Sequence, residues 1–178
     1  MVRPVILYGD PILKLVSTEV QESSKADIVP LIQDMFETMR QANGVGLAGV
    51  QIGVPLRVFV VDAKLENEDF RFTGTFINPK ILREWGEPVK HPEGCLSVPQ
   101  IAAMVSRLPS IELEWYDEEW TYHKKVFEGF AARIIQHEYE HLDGGIYIDN
   151  LDLMWREMLS TSLKIIEKRL IEVPYQFK

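Results

Sequence analysis

A chain that reads Ile134-Ile135-Gln136-His137-Glu138-Tyr139-Glu140-His141-Leu142, after Gly129-Phe130-Ala131-Ala132-Arg133 and before Asp143-Gly144-Gly145, has few folds open to it. Alanine and isoleucine are compatible with a helix, nothing in the stretch breaks one, and the paired glycines stop it. Residues four apart stack on one helical face, so His137 and His141 aim both imidazoles at one point. Ala131, Ala132, Ile134, Ile135 and Leu142 leave almost no solvent face, and the helix is expected to be buried. Two neutral imidazoles on one face can hold a divalent metal ion, and Glu138 beside them is a candidate base. The same five-residue pattern also recurs by chance, with both histidines merely hydrogen-bonded near a surface.

The only cysteine lies upstream, in Pro92-Glu93-Gly94-Cys95-Leu96-Ser97. A thiolate is a good ligand for zinc or ferrous iron. Joined to two histidines it leaves a fourth position for water, as catalytic rather than structural sites do. The plainer role for Cys95 is a small buried core residue. A lone cysteine cannot form an internal disulfide, which fits a reducing compartment, and a cytoplasmic location is expected. At 178 residues the chain is most simply one domain, 1–178, with a core of its own. A net charge of −8 argues against nonspecific nucleic-acid binding and against a basic helix on a membrane surface. The first ten residues lack the apolar run and cleavage site of an export signal, and no stretch approaches membrane-spanning length.

Along the chain, residues 1–23 read as an extended arm with a turn at Asp10-Pro11. Ile28, Leu31, Ile32, Met35, Phe36 and Met39 predict an amphipathic helix, capped by Asp27 and ended by Asn43-Gly44. The glycines of Gly44-Val45-Gly46-Leu47-Ala48-Gly49-Val50-Gln51-Ile52-Gly53 predict a flexible loop; the spacing fits no phosphate-binding fingerprint. Leu56 to Asp62 reads as a buried strand, and Lys64 to Asp69 as a charged loop. Residues 75–78 and 80–85 read as strands interrupted by Pro79. Ile111 to Trp115 alternates as a strand with one wet face, and Thr121 to Phe127 returns antiparallel after a turn. Ile146-Tyr147-Ile148 reads as a short strand, and Leu153 to Ile171 as a second amphipathic helix, with Leu159, Leu163, Ile166 and Leu170 on its apolar side. Strands and helices without regular alternation predict an α+β fold: antiparallel sheets around the buried His-Glu-x-x-His helix, with one N-terminal and one C-terminal helix.

Three blocks, Gly44-Val45-Gly46-Leu47-Ala48-Gly49-Val50-Gln51, Glu93-Gly94-Cys95-Leu96-Ser97 and Gln136-His137-Glu138-Tyr139-Glu140-His141, resemble in order and spacing the peptide deformylase family in its compact bacterial form. The resemblance implies a metal-dependent hydrolase that removes the formyl group from the N-terminal formylmethionine of nascent polypeptides. It implies Cys95, His137 and His141 as ligands of one divalent ion, natively Fe2+, with Zn2+, Ni2+ or Co2+ also accommodated. Glu138 matches the acid–base residue, and Gln51 with the backbone N–H of Leu96 matches the donors to the formyl oxygen. By position, Val45, Gly46, His91, Phe130 and Ile134 border the methionine pocket, and Gly46, Glu93 and Gly94 bring backbone near the substrate. Gly49 stands where the family usually has alanine, and Glu140 where it has aspartate. An arginine that some members carry after the cysteine block is replaced here by Val98-Pro99-Gln100-Ile101-Ala102-Ala103. The C-terminal helix is a candidate ribosome contact, where nascent chains emerge.

Two other readings share these residues. A zinc endopeptidase would use the same helix, but takes its third ligand downstream, where only Asp143, Asp149 and Asp152 offer carboxylates. A deformylase-like protein that binds metal without turnover is the other, motivated by Gly49 and Glu140. His123 is expected to be exposed on a strand.

Overall fold

The computed structural model describes residues 1–64 and 71–178. Most of the expected charged loop, residues 65–69, lies outside them. The α+β expectation holds. A five-stranded antiparallel sheet runs in the order β1 (Gly46–Ala48), β2 (Val58–Lys64), β3 (Arg71–Trp85), β6 (Ser110–Tyr116), β7 (Tyr122–Glu128), and β4 (Val89–Cys95) pairs with β5 (Val98–Arg107) in a separate hairpin. Among the described residues three α-helices complete it: α1 (Lys25–Gln41), α2 (Gly129–Leu142) and α3 (Leu153–Glu167).

The main sheet is covered on both faces, which explains the unbroken apolar run of β2. Phe59 and Val61 pack on α2 with Phe76, Ile111, Leu113, Ala132 and Ile135. Val58 and Val60 point the other way, against Met35, Met39 and Ile32 of α1. Successive strand residues face opposite sides, so a strand between two helical layers needs an apolar residue at every position. The hairpin forms the third side. Val98, Ile101, Ala103 and Val105 pack with Ile6, Leu7, Tyr147, Leu163 and Ile166. α2 therefore lies between main sheet and hairpin; residues 131–138 along it are all buried.

Several local expectations are corrected. Asp27 lies in the first turn of α1, whose N-cap is Ser24. The glycine-rich stretch is a strand, β1, followed by a 3-10 turn Gly49–Ile52, all buried. The tendency of glycine toward disorder is overridden here because β1 pairs with β2, Leu47 opposite Val60. Pro79 does not end the strand; β3 continues past it with a shift of register between Ile77 and Lys80. Asn78 takes up the irregularity at φ 49°, its side chain bonded to both N and O of Val20 at 2.9 Å. Ile146 to Ile148 is no strand. Tyr147–Asn150 is a 3-10 turn, held by an Asp149 carboxylate that accepts from Ile146 N at 3.0 Å. α3 stops at Glu167 because Arg169 turns left-handed (φ 60°) and its guanidinium donates to the carbonyls of Ile166 and Glu167. Leu170 is consequently 70% exposed. The N-terminal arm is not extended throughout, since Pro11–Lys14 and Glu22–Ser24 are 3-10 turns, and its Val5, Ile6 and Leu7 are fully buried. Among the described residues no helix is long and apolar enough to cross a membrane.

Candidate active site

α2 delivers His137 and His141 from one face, their rings 5.2 Å apart and nearly perpendicular. Cys95 arrives at the end of β4, where the pairing with β5 slips and Cys95 meets Val98. Its Sγ lies 3.2 Å from His141 Nε2. Ligand atoms of Cys95, His137 and His141 all fall within 4.8 Å of one another, the one such His/Cys/Asp/Glu group among the described residues. The donor set fits a divalent ion: one sulfur and two imidazoles, buried or nearly so. Its orientation fits too, because His137 Nδ1 donates to Glu93 Oε2 at 2.9 Å, leaving Nε2 on the shared side. Burial and the charge on His137 hold His141 well below the ordinary imidazole pKa, so it stays neutral. Burial pulls His137 down as well, but its bonds to Cys95 and Glu93 outweigh this and the pKa is raised.

Glu138 is buried beside this cluster, and its Oε2 has no hydrogen-bond partner among the described residues. Burial pushes its pKa up to about 7, against the positive charges of His137 and Arg107. Gly46 makes room for it, since a Cβ there would collide with the Glu138 carboxylate. Gln51 is 2% exposed and held at both ends of its amide. Oε1 accepts from Ala48 N at 2.8 Å, which turns Nε2 toward Cys95 Sγ (3.3 Å) and Ser97 Oγ (3.1 Å). Gly49, where the family usually has alanine, leaves no room for a side chain. A Cβ there would sit 2.8 Å from the carbonyl oxygen of Val54.

A cavity of about 740 Å³ opens onto the cluster and is lined by Gly46, Gln51, Cys95, Leu96, His137 and Glu138. Phe130, Ile134, Glu93 and Gly94 border it, and Val45 stands exposed at its edge. His91 does not reach it; that ring is exposed and contacts Phe130 at 6.2 Å between centroids. His123 is half-buried, stacked on Trp115 and bonded to Asp117 at 2.7 Å. The downstream carboxylates needed by an endopeptidase are engaged elsewhere: Asp143 with Arg57, Asp149 with Lys14 and Ile146 N, Asp152 with Trp155 N.

Sequence reasoning missed the charges that hold the site. The Glu93 carboxylate, valued only for its backbone, is 7% exposed and accepts four hydrogen bonds. Two come from Arg107 (2.7 and 2.8 Å), one from Arg133 (2.6 Å) and one from His137. Burial opposes its charge, yet the bonds from His137 and Arg107 hold its pKa far below the usual carboxylate range. Arg107 also donates to Glu140 at 3.0 Å, and Asn150 donates to the other Glu140 oxygen. The available signal was Arg133 itself, a charge inside the apolar run Ala131 to Ile135, which demands a buried acid. The second omission is the C-terminal segment, whose Val173, Pro174 and Tyr175 line the cavity.

Two imidazoles and a sulfur converging beside a buried carboxylate poised near neutrality, at the floor of an open cavity, define a metal-dependent hydrolase. Comparison with known proteins makes the class specific. Residues 2–157 match the family model described as polypeptide deformylase. The peptide deformylase of Cytophaga hutchinsonii is 39% identical across all of this chain and 97% of its own length. Peptide deformylase 2 of Streptomyces avermitilis is 43% identical over 87% of this chain and 82% of that protein. The crystal structure of the Thermus thermophilus peptide deformylase superposes with a TM-score of 0.86 at 36% identity, covering 95% of this chain and 99% of that one. The chain belongs to the polypeptide deformylase family.

Proposed function

We infer that this protein is a peptide deformylase, a metal-dependent hydrolase that removes the formyl group from the N-terminal formylmethionine of nascent polypeptides and releases formate. The observation that carries this reading is the convergence of Cys95, His137 and His141 beside the Glu138 carboxylate, whose Oε2 has no hydrogen-bond partner among the described residues. Cys95, His137 and His141 hold the ion, natively Fe2+, with Zn2+, Ni2+ or Co2+ as substitutes; softness of the sulfur and the mixed donor set support that range. When bound, it supplies Lewis acidity, polarising the formyl carbonyl and making water acidic enough to attack near neutral pH.

The remaining work falls to side chains. Glu138, poised at about 7, takes the proton of the attacking water through Oε2 and returns it to the leaving amine. The Gln51 amide, prevented from flipping by its bond from Ala48 N, turns an N–H toward the negative charge that develops on the formyl oxygen. The backbone N–H of Leu96 is assigned the same task. Loss of one such donor raises a barrier by about 2.7–4 kcal/mol. Phe130 and Ile134 present the apolar wall for the methionine side chain, with Val45, Gly46 and the backbone of Glu93 and Gly94 around it. His91 supports Phe130 from outside the cavity.

One catalytic unit spans 1–178, and it acts on nascent chains in the cytoplasm. The reduced thiol required of Cys95 supports that location. Leu153, Met154 and Met158, exposed on α3, are the surface offered for a ribosome contact. Formate release from formyl-Met-Ala-Ser by protein purified under argon with ferrous iron tests the reading. Glu138→Ala is expected to keep its metal and lose turnover by about 10²–10⁴. Casein cleavage without formate would support an endopeptidase instead, and metal binding with neither activity would support a binding protein.

A further inference from the structure

The last residues, Ile171-Glu172-Val173-Pro174-Tyr175-Gln176-Phe177-Lys178, lie beyond the family match and alternate apolar with polar or proline. Burial follows the same rhythm: Ile171, Val173, Tyr175 and Phe177 are half-buried and the residues between them exposed. The segment is bonded along its length. Gln100 Nε2 donates to Glu172 O at 2.9 Å, and Tyr175 Oη to Leu96 O at 2.8 Å. Val5 N donates to Gln176 O at 2.8 Å, and Lys178 N to Val5 O at 3.0 Å. The arm it pairs with reaches the site directly, Ile6 N donating to Gln51 O and Tyr8 N to Ser97 O, each at 2.7 Å. The segment is thus a fixed strap, tied to the backbone that positions Gln51 and Ser97.

We propose that this strap is a specificity wall, in which Val173, Pro174 and Tyr175 give apolar contact to the side chain of the second residue of the formylated peptide. The proposal rests on the deformylase reading. An extended peptide sends successive side chains to opposite sides. If the first side chain lies on Phe130 and Ile134 of α2, the second turns to a different wall, and the strap supplies an apolar one. The Tyr175 hydroxyl is already committed to Leu96 O, so none of Val173, Pro174 and Tyr175 compensates the desolvation of an acidic side chain.

The test compares kcat/KM for formyl-Met-Leu-Ser and formyl-Met-Asp-Ser in the full-length protein, Tyr175→Ala, Val173→Ala and Tyr175→Phe. The unaltered protein is expected to prefer leucine roughly tenfold, the scale of a single apolar pocket contact. Tyr175→Ala and Val173→Ala are expected to erode that preference through KM rather than kcat, while Tyr175→Phe, which keeps the ring, retains it. No preference in the unaltered protein overturns the proposal, as does an undiminished preference in Val173→Ala or in folded Tyr175→Ala. So does an equal loss on both peptides in Tyr175→Ala and Val173→Ala, which marks a purely structural strap. Failure of the unaltered protein to release formate from either peptide is a different result: it removes the activity reading, and this one with it.

Discussion

Glu93→Gln is the most demanding perturbation the site offers, because the two side chains differ by one heavy atom and one charge. Glu93 Oε1 accepts from Arg107 Nε at 2.7 Å and Arg133 Nη1 at 2.6 Å; Oε2 accepts from Arg107 Nη2 at 2.8 Å and His137 Nδ1 at 2.9 Å. Each oxygen faces two donors, so either orientation of a glutamine sets its NH2 against two N–H groups. Turned toward Arg107 and Arg133, it strips acceptors from two buried cations. Turned toward His137, it drives that proton from Nδ1 to Nε2, the nitrogen proposed to bind metal. Breaking a buried ion pair on one side costs about 3–5 kcal/mol. For a chain of this length that is a fall in Tm on the order of 10 °C. The expected metal affinity falls by about 10–100-fold, the usual effect of removing a carboxylate behind a metal-binding histidine. Thermal unfolding by circular dichroism, with and without chelator, and competition for the metal with a chromogenic chelator read the two effects. A melting point within about 2 °C of the unaltered protein, less than 1 kcal/mol at this size, together with unchanged metal affinity, would refute the argument.

The remaining expectations are simpler. Gly46→Ala places a methyl group against the Glu138 carboxylate and is expected to fold and bind metal while losing at least about 10²-fold in turnover, read as formate release against metal content. Gly49→Ala forces a methyl group to 2.8 Å from Val54 O and 3.2 Å from Val58 Cγ1, so urea unfolding is expected to show a loss of about 1–3 kcal/mol although alanine is common there in the family. Asp117 accepts from His123 and from the N–H groups of Glu119 and Thr121; burial opposes its charge, but these bonds hold its pKa below the ordinary 3.8. A depressed folded pKa contributes stability that is complete above 3.8 and lost as pH falls through the folded value. Asp117→Asn is therefore expected to cost about 1 kcal/mol in urea unfolding at pH 7 and progressively less in acid. A difference that stays constant with pH would exclude the charge as its cause.

What the sequence revealed of the fold divides along a physical line. α1, α2 and β2 were legible because their pattern is set by what covers them: one apolar stripe for α1, apolar residues on every side for α2, both faces for β2. The β4–β5 hairpin went unread because Pro92, Gly94 and Pro99 break the local signal. Its strands exist through pairing with each other, His91 opposite Val105 and Glu93 opposite Ala103. The same holds for β1, a glycine-rich run made a strand by β2. Local propensity fails wherever the partner is distant in sequence.

The site divides in the same way. The residues proposed to act on substrate or metal were legible by chemical type and spacing for His137, His141, Glu138 and Cys95 and through the family resemblance for Gln51, and the geometry brings all five together. The charges that hold them carry no spacing rule, since Glu93 meets Arg107, Arg133 and His137 across 14, 40 and 44 residues. Yet these charges explain why Glu140 can stand in for a shorter acid. Its longer arm is held between Arg107 and Asn150, so its reach is used rather than left loose. Glu93 and Glu140 balance Arg107 and Arg133, two charges of each sign, and the buried group adds no net charge beside the metal position. Arg107 lowers the Glu138 pKa while Glu93 raises it. Burial outweighs both, and the stronger downward pull of the His137 charge as well, so a carboxylate that would titrate near 4.5 is left at about 7, where a proton can be both taken and returned.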